Sequence, residues 1–230
     1  MTFEDKVIEK TIYFVKSKLH NQETGHDWYH VERVWQNAIQ IGLEENADMF
    51  VVQLASLLHD IADWKFHSGD ESVGPKVAHD WLESLGVNDK IIKHVCEIIK
   101  TMPFKGAKTS SIMSTIEGKI VQDADRLDAI GAIGIARAFS YGAYNAQEIY
   151  NPDIKPVLHS TFHEYKHTKT TTINHFYEKL FFLKERMNTS TARKIADERH
   201  KFMVDFIKTL QKECKIEFLP QPEKYLHYIK

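Results

Sequence analysis

The chain has 230 residues, of which 43% are hydrophobic and 27% charged, with a net charge of −2. That is enough apolar material for a sizeable core without disulfides. Lys and Arg are interspersed with Asp and Glu, which argues against a polybasic surface for nucleic acid. The first residues, Met1 to Lys10, lack the basic and apolar regions of a secretory signal. No apolar run reaches the ~18 residues of a membrane span. The two cysteines, Cys96 and Cys214, match no zinc or redox spacing. The expected location is a reducing cytoplasm, with neither nucleic acid nor membrane as a partner.

The hydrophobic periodicity is helical almost throughout. Val7, Ile8, Ile12, Phe14, Val15 and Leu19 predict a helix over residues 3–19. After the polar break at 21–25, a helix of roughly 27–43 turns Val31, Val34, Trp35, Ala38, Ile41 and Gly42 inward. Asp48 is placed to cap the next helix, which runs through Phe50 to Leu58 and ends on His59 and Asp60. Residues 65–74 are polar and read as a loop. A helix over about 75–85 follows, with Pro75 in its first turn and Gly86 as its C-terminal stop. Another spans 89–101, with Ile91, Ile92, Val95, Ile98 and Ile99 on one face.

Residues 102–113 read as a loop. Ser114-Thr-Ile-Glu117 has the pattern of a capping box before the segment Ile120-Val121-Ala124-Leu127-Ile130. The small-residue stretch Ala129 to Ala138 is expected to continue that helix. Residues 142–167, with Pro152 and Pro156, read as a long excursion. Two amphipathic helices are expected over about 169–187 and 190–213, the second with Ile195, Phe202, Phe206 and Leu210 as its apolar positions. The tail from Lys215 is punctuated by prolines. No β alternation of useful length, internal repeat or low-complexity segment is evident. The expected fold is all-α, as a single domain over 1–230 with C-terminal helices at about 168–214.

The pair His59-Asp60 closes the most apolar run of the chain. An imidazole and a carboxylate at the end of a buried helix are costly unless something pairs with them, and a divalent cation is the obvious partner. Another histidine, His30, lies on the second helix. Three aspartates, Asp123, Asp125 and Asp128, lie on the helix after the capping-box pattern. Side chains from three helices facing one point are how helical bundles build metal sites. Periodicity does not separate Asp125 from Asp128, because each falls one turn after an apolar residue.

This order of residues resembles the H…HD…D pattern of the HD-domain metal-dependent phosphohydrolases. The local contexts resemble it too: Asp27-Trp-Tyr-His30-Val-Glu-Arg33-Val, Leu57-Leu-His-Asp-Ile61, and Ala124-Asp-Arg-Leu-Asp128. The resemblance covers roughly residues 20–140 and is nearest to stand-alone bacterial HD proteins that hydrolyse nucleotides. It implies His30, His59, Asp60 and Asp125 as metal ligands. It also implies Asp63, three residues after Asp60, as a carboxylate that orients or deprotonates the attacking water; Glu71, on the loop after the pair, is a second carboxylate and the alternative acid/base.

Two imidazoles and two carboxylates, with positions left for water or phosphate, suit one octahedral divalent ion. Mn²⁺ is the first expectation, with Fe²⁺, Co²⁺, Ni²⁺ or Mg²⁺ as alternatives. His67, His79 and His94 are candidates for a second ion, but no paired motif accompanies them. Arg33, Lys65, Lys105 and Arg126 are the candidate cations for substrate phosphate, and Phe104, Tyr141 or Tyr144 could support a base. The expected activity is hydrolysis of a nucleotide, such as a nucleoside triphosphate to monophosphate and pyrophosphate. The alternatives are a phosphodiesterase or alarmone hydrolase, or an idle HD domain that binds a ligand or partner. The two C-terminal helices could pair between subunits of a homodimer.

Overall fold

Short polar side chains begin most of the helices. In the computed structural model, Asp27 accepts from the backbone N–H of His30, Asp48 from Phe50 and Val51, Asn88 from Lys90, Thr171 from Asn174 and Thr189 from Ala192. Each such bond satisfies a donor that the helix itself leaves open, worth ~1 kcal/mol. The structure describes residues 1–19, 27–62, 72–102, 113–157, 170–217 and 219–220. The elements are α1 (Phe3–Leu19), α2 (Trp28–Glu44), α3 (Met49–Leu58), α4 (Val73–Ser84), α5 (Asp89–Thr101), α6 (Ile116–Asp128), α7 (Gly131–Tyr144), α8 (Thr172–Glu178), a 3₁₀ segment (Leu180–Arg186) and α9 (Ser190–Glu213). The protein is all-α, with no strand among the described residues. None of these helices is long and apolar enough to cross a membrane.

The chain divides into two compact units, the first comprising Met1–Phe104 with Ser111–Asp125 and the second Lys105–Ser110 with Arg126–Lys230. In the first unit α3 is the central helix. Eight of its ten residues are buried, which is what a continuous apolar run demands. Val7, Val15 and Leu19 of α1, Val31 of α2, Leu82 of α4 and Ile92, Val95, Ile98 and Ile99 of α5 share its core, as does Val121 of α6. Specific pairs set the register. Trp35 Nε1 of α2 donates to Gln53 of α3 at 3.2 Å. Trp81 of α4 stacks on Phe14 of α1 at 4.1 Å between centroids and donates to Thr11.

Gly86 takes a positive φ of 73° just beyond α4, the left-handed stop expected of it. Helix α4 begins at Val73, so Pro75 is its third residue. The capping box at 114–117 does not form. Thr115 Oγ1 accepts from Gly118 N–H, and Glu117 instead accepts from the backbone N–H of Asp48 at 3.1 Å. Glu117 is therefore spent on the start of α3.

The second unit is built on aromatic packing. Phe176 of α8 stacks on Phe206 of α9, and Phe139 of α7 meets Phe206 edge-on at 5.9 Å. Tyr177 and Phe181 pack edge to face at 5.3 Å. Two expectations are corrected here. Helix α6 does not run on through the small-residue stretch: it ends at Asp128, and Gly131, at φ 76°, starts a separate α7. The helix expected over 169–187 is a seven-residue α-helix and a seven-residue 3₁₀ segment, broken at Lys179 (φ −142°, ψ −56°). Along α9 the buried positions are Ala192, Ala196, His200, Met203, Val204, Ile207 and Gln211, whereas Phe202 is 53% exposed.

Candidate metal centre

His30 is the third residue of α2. Asp27 Oδ1 accepts from its backbone N–H at 2.8 Å, holding the first turn of that helix. The side chain of His30 is 1% exposed. His59 is the C-cap of α3, and Asp60 follows in the turn closed by Ile61 N–H to the Leu58 carbonyl. The pair thus sits where the central helix stops.

His59 Nδ1 lies 2.7 Å from the Ser56 carbonyl. A carbonyl can only accept, so Nδ1 carries a proton, and Nε2 is the nitrogen left to serve as a ligand. That Nε2 faces His30 Nε2 at 3.3 Å. Asp60 Oδ2 completes the group, 3.3 Å from His30 Nε2 and 3.5 Å from His59 Nε2. A point equidistant from three such atoms lies about 2 Å from each, the bond length of first-row divalent metals to nitrogen and oxygen. Three donor atoms converging this closely suit a divalent cation between them. Among the described residues, His30, His59 and Asp60 are the group whose donor atoms could hold a metal ion.

Of the three aspartates of α6, Asp123 and Asp128 are fully buried. Asp128 pairs with Arg137 at 2.5 Å within the second unit. Asp125 is the partly exposed one, with its Oδ1 3.6 Å from His30 Nε2 and its side chain 42% exposed. It borders the tight triad.

The remaining candidates fall elsewhere. Arg33 is half-buried on α2, three residues past His30. Arg126 donates to the Arg186 carbonyl, so one of its N–H groups secures the end of the 3₁₀ segment. Asp63, Lys65, His67, Glu71, Phe104 and Lys105 lie outside the described residues. His94 hydrogen-bonds to Thr115 at 3.0 Å beside Glu117, and His79 lies against Asp80 on the surface. Tyr141 and Tyr144 are exposed on α7. Two contributors to the site were not anticipated from sequence. The Asp27 cap had a signal, an Asp three residues before the histidine at a helix start. The Ser56 carbonyl had none, because every residue has one.

The HD-domain family profile matches residues 27–130, a span that includes His30, His59, Asp60 and Asp125. A Bacillus subtilis (strain 168) protein, the uncharacterized YpgQ, is 39% identical over 213 residues, covering 91% of this chain and 95% of its own. The chain belongs to the HD-domain family. Solved structures agree with the assignment. An HD-superfamily hydrolase from Bacillus thuringiensis is 42% identical, covers 93% of this HD-domain chain and 100% of its own, and has a TM-score of 0.74. YpgQ in complex with ADP is 37% identical, covers 92% and 97%, and also has a TM-score of 0.74.

Proposed function

We propose that this HD-domain protein is a metal-dependent phosphohydrolase acting on a nucleotide, cleaving a nucleoside triphosphate to the monophosphate and pyrophosphate. The observation that carries the reading is the triad of His30 Nε2, His59 Nε2 and Asp60 Oδ2, mutually 3.3–3.5 Å apart. Asp125 Oδ1 borders it and is the fourth ligand. The mixed nitrogen and oxygen set suits Mn²⁺ among the divalent ions. Such an ion, when bound, acidifies a water and offsets phosphate charge.

The protein's own groups do the rest. The Ser56 carbonyl keeps His59 in the tautomer that offers Nε2. Asp60 brings the carboxylate of the triad. Asp63 accepts the proton of the attacking water, with Glu71 as the alternative base. Arg33, Lys65, Lys105 and Arg126 are the cations assigned to the phosphate oxygens. The nucleotide assignment is supported by the YpgQ complex with ADP.

The test is a panel of nucleoside mono-, di- and triphosphates, cyclic nucleotides and alarmones offered to the Mn²⁺-loaded protein, with phosphate and pyrophosphate read separately. Pyrophosphate from a triphosphate supports the reading, and phosphate alone points to a nucleotidase. No turnover across the panel with Mn²⁺ bound favours an HD domain that binds a ligand without cleaving it.

A further inference from the structure

His30 occupies an exposed position in the architecture of its helix, if not in space. It is the third residue of α2, in the terminal turn whose amides the helix itself leaves unpaired. A ligand there holds its direction only if the turn is held. Three features do so. Asp27 Oδ1 accepts from His30 N–H itself at 2.8 Å, and the Asp27 carbonyl accepts from Val31 N–H. Trp28, the first helical residue, packs on the core of the first unit and lies under the Lys16 ammonium at 4.5 Å. The cap bond is the only one of the three made directly to the backbone of the ligand residue by a side chain.

We propose that Asp27 is a positioning residue of the metal centre: by capping α2 on the amide of His30, it fixes the Nε2 of that histidine against His59 and Asp60. The proposal rests on the reading of the triad as a metal centre. It goes further in assigning ligand geometry to a side chain outside the ligand set. The cap oxygen is what matters, so serine, which caps through a hydroxyl, can replace the carboxylate.

The experiment is calorimetric titration of the folded protein with Mn²⁺, alongside thermal melts. The variants are Asp27→Ala, Asp27→Ser, His59→Ala and Thr189→Ala. Thr189 caps α9 through the same third-residue amide, so its variant reports the effect of losing a cap away from the centre. The expected result is Mn²⁺ affinity lowered about fivefold in Asp27→Ala and within twofold of wild type in Asp27→Ser and Thr189→Ala, a fivefold change being about 1 kcal/mol. A lowered melting temperature for Asp27→Ala with unchanged affinity overturns the proposal and leaves Asp27 a purely stabilising cap. Equal losses in Asp27→Ser and Asp27→Ala also overturn it, because the negative charge and not the cap would then be responsible. Wild type that takes up no Mn²⁺, or His59→Ala that keeps full affinity, overturns the metal centre itself and this proposal with it.

Discussion

The Nε2 atoms of His30 and His59, residues 29 apart in sequence, face each other at 3.3 Å. Their rings meet at 67°, with centroids 5.3 Å apart, so they are not stacked for packing. Each presents an edge to the same point, and Asp60 presents its carboxylate there as well.

The ligands are therefore unequal. His59→Ala and Asp60→Ala each remove one vertex of the triad and should abolish stoichiometric Mn²⁺ binding in a calorimetric titration. Asp125 is more exposed and stands at the border. Asp125→Ala should keep one Mn²⁺ per chain with affinity reduced roughly tenfold, about 1.4 kcal/mol. Equal effects of Asp60→Ala and Asp125→Ala would contradict this ranking.

Bound metal should also stabilise the fold, since the three donors converge only in the native chain. Free Mn²⁺ at a hundred times its Kd should add about 2.7 kcal/mol, read as a higher melting temperature that a chelator reverses. Asp60→Ala should melt at the same temperature with and without Mn²⁺.

Acid should weaken the second unit through His200. This ring is 9% exposed, packs edge-on against Phe181 and has a buried Nδ1 with no hydrogen-bond partner among the described residues. Burial, reinforced by Lys184 and opposed by Asp197, pushes it down to about 4. The unfolded chain takes up this proton near 6.5 and the folded chain only near 4. The stability is complete above about pH 6.5 and is lost as pH falls toward 4. In urea titrations at pH 7 and pH 5, His200→Leu should reduce the difference in stability by about 2 kcal/mol. An unchanged difference would show that His200 does not contribute.

Gly131 and Gly86 offer a graded comparison. Both take a positive φ, 76° and 73°. A Cβ on Gly131 would meet Arg199 Cγ at 2.9 Å, whereas one on Gly86 would meet nothing within 4 Å among the described residues. Arg199 donates to the Leu127 carbonyl at the end of α6, so displacing it loosens that end as well. Gly86→Ala should cost about 1 kcal/mol and Gly131→Ala about 3 kcal/mol, the span expected for left-handed non-glycine residues. Chemical denaturation of both variants checks the order.

Much of this was legible in the sequence where local chemistry alone decides. Helices α1, α2, α3, α5 and α9 follow from 3.6-residue periodicity, and α3 also from its Asp48 cap, both properties of a few neighbouring residues. The breaks at Gly131 and Lys179 were not legible. Apolar spacing continues across both, and what stops the helices is backbone conformation at a single residue. The capping box at 114–117 failed for a different reason: Glu117 is drawn to the amide of Asp48, 69 residues away. Phe202 was expected inward because a large aromatic outweighs its smaller neighbours in a periodicity reading. The helix instead buries Ala192 and Ala196, which permit close approach.

The site divides in the same way. The His59-Asp60 pair stands out in sequence because it is polar at the end of an apolar run. Which aspartate of α6 approaches His30 depends on how that helix is rotated in the first unit, and residue spacing leaves this open. The Ser56 carbonyl that sets the His59 tautomer is a backbone atom and leaves no trace in residue identity.

The central claim is that the triad supports hydrolysis of a nucleotide. The most direct test is pyrophosphate release from nucleoside triphosphates by wild type and by Asp60→Ala, both folded and both supplied with Mn²⁺. The account predicts turnover by wild type and none by Asp60→Ala. Turnover by Asp60→Ala at the wild-type rate would contradict it.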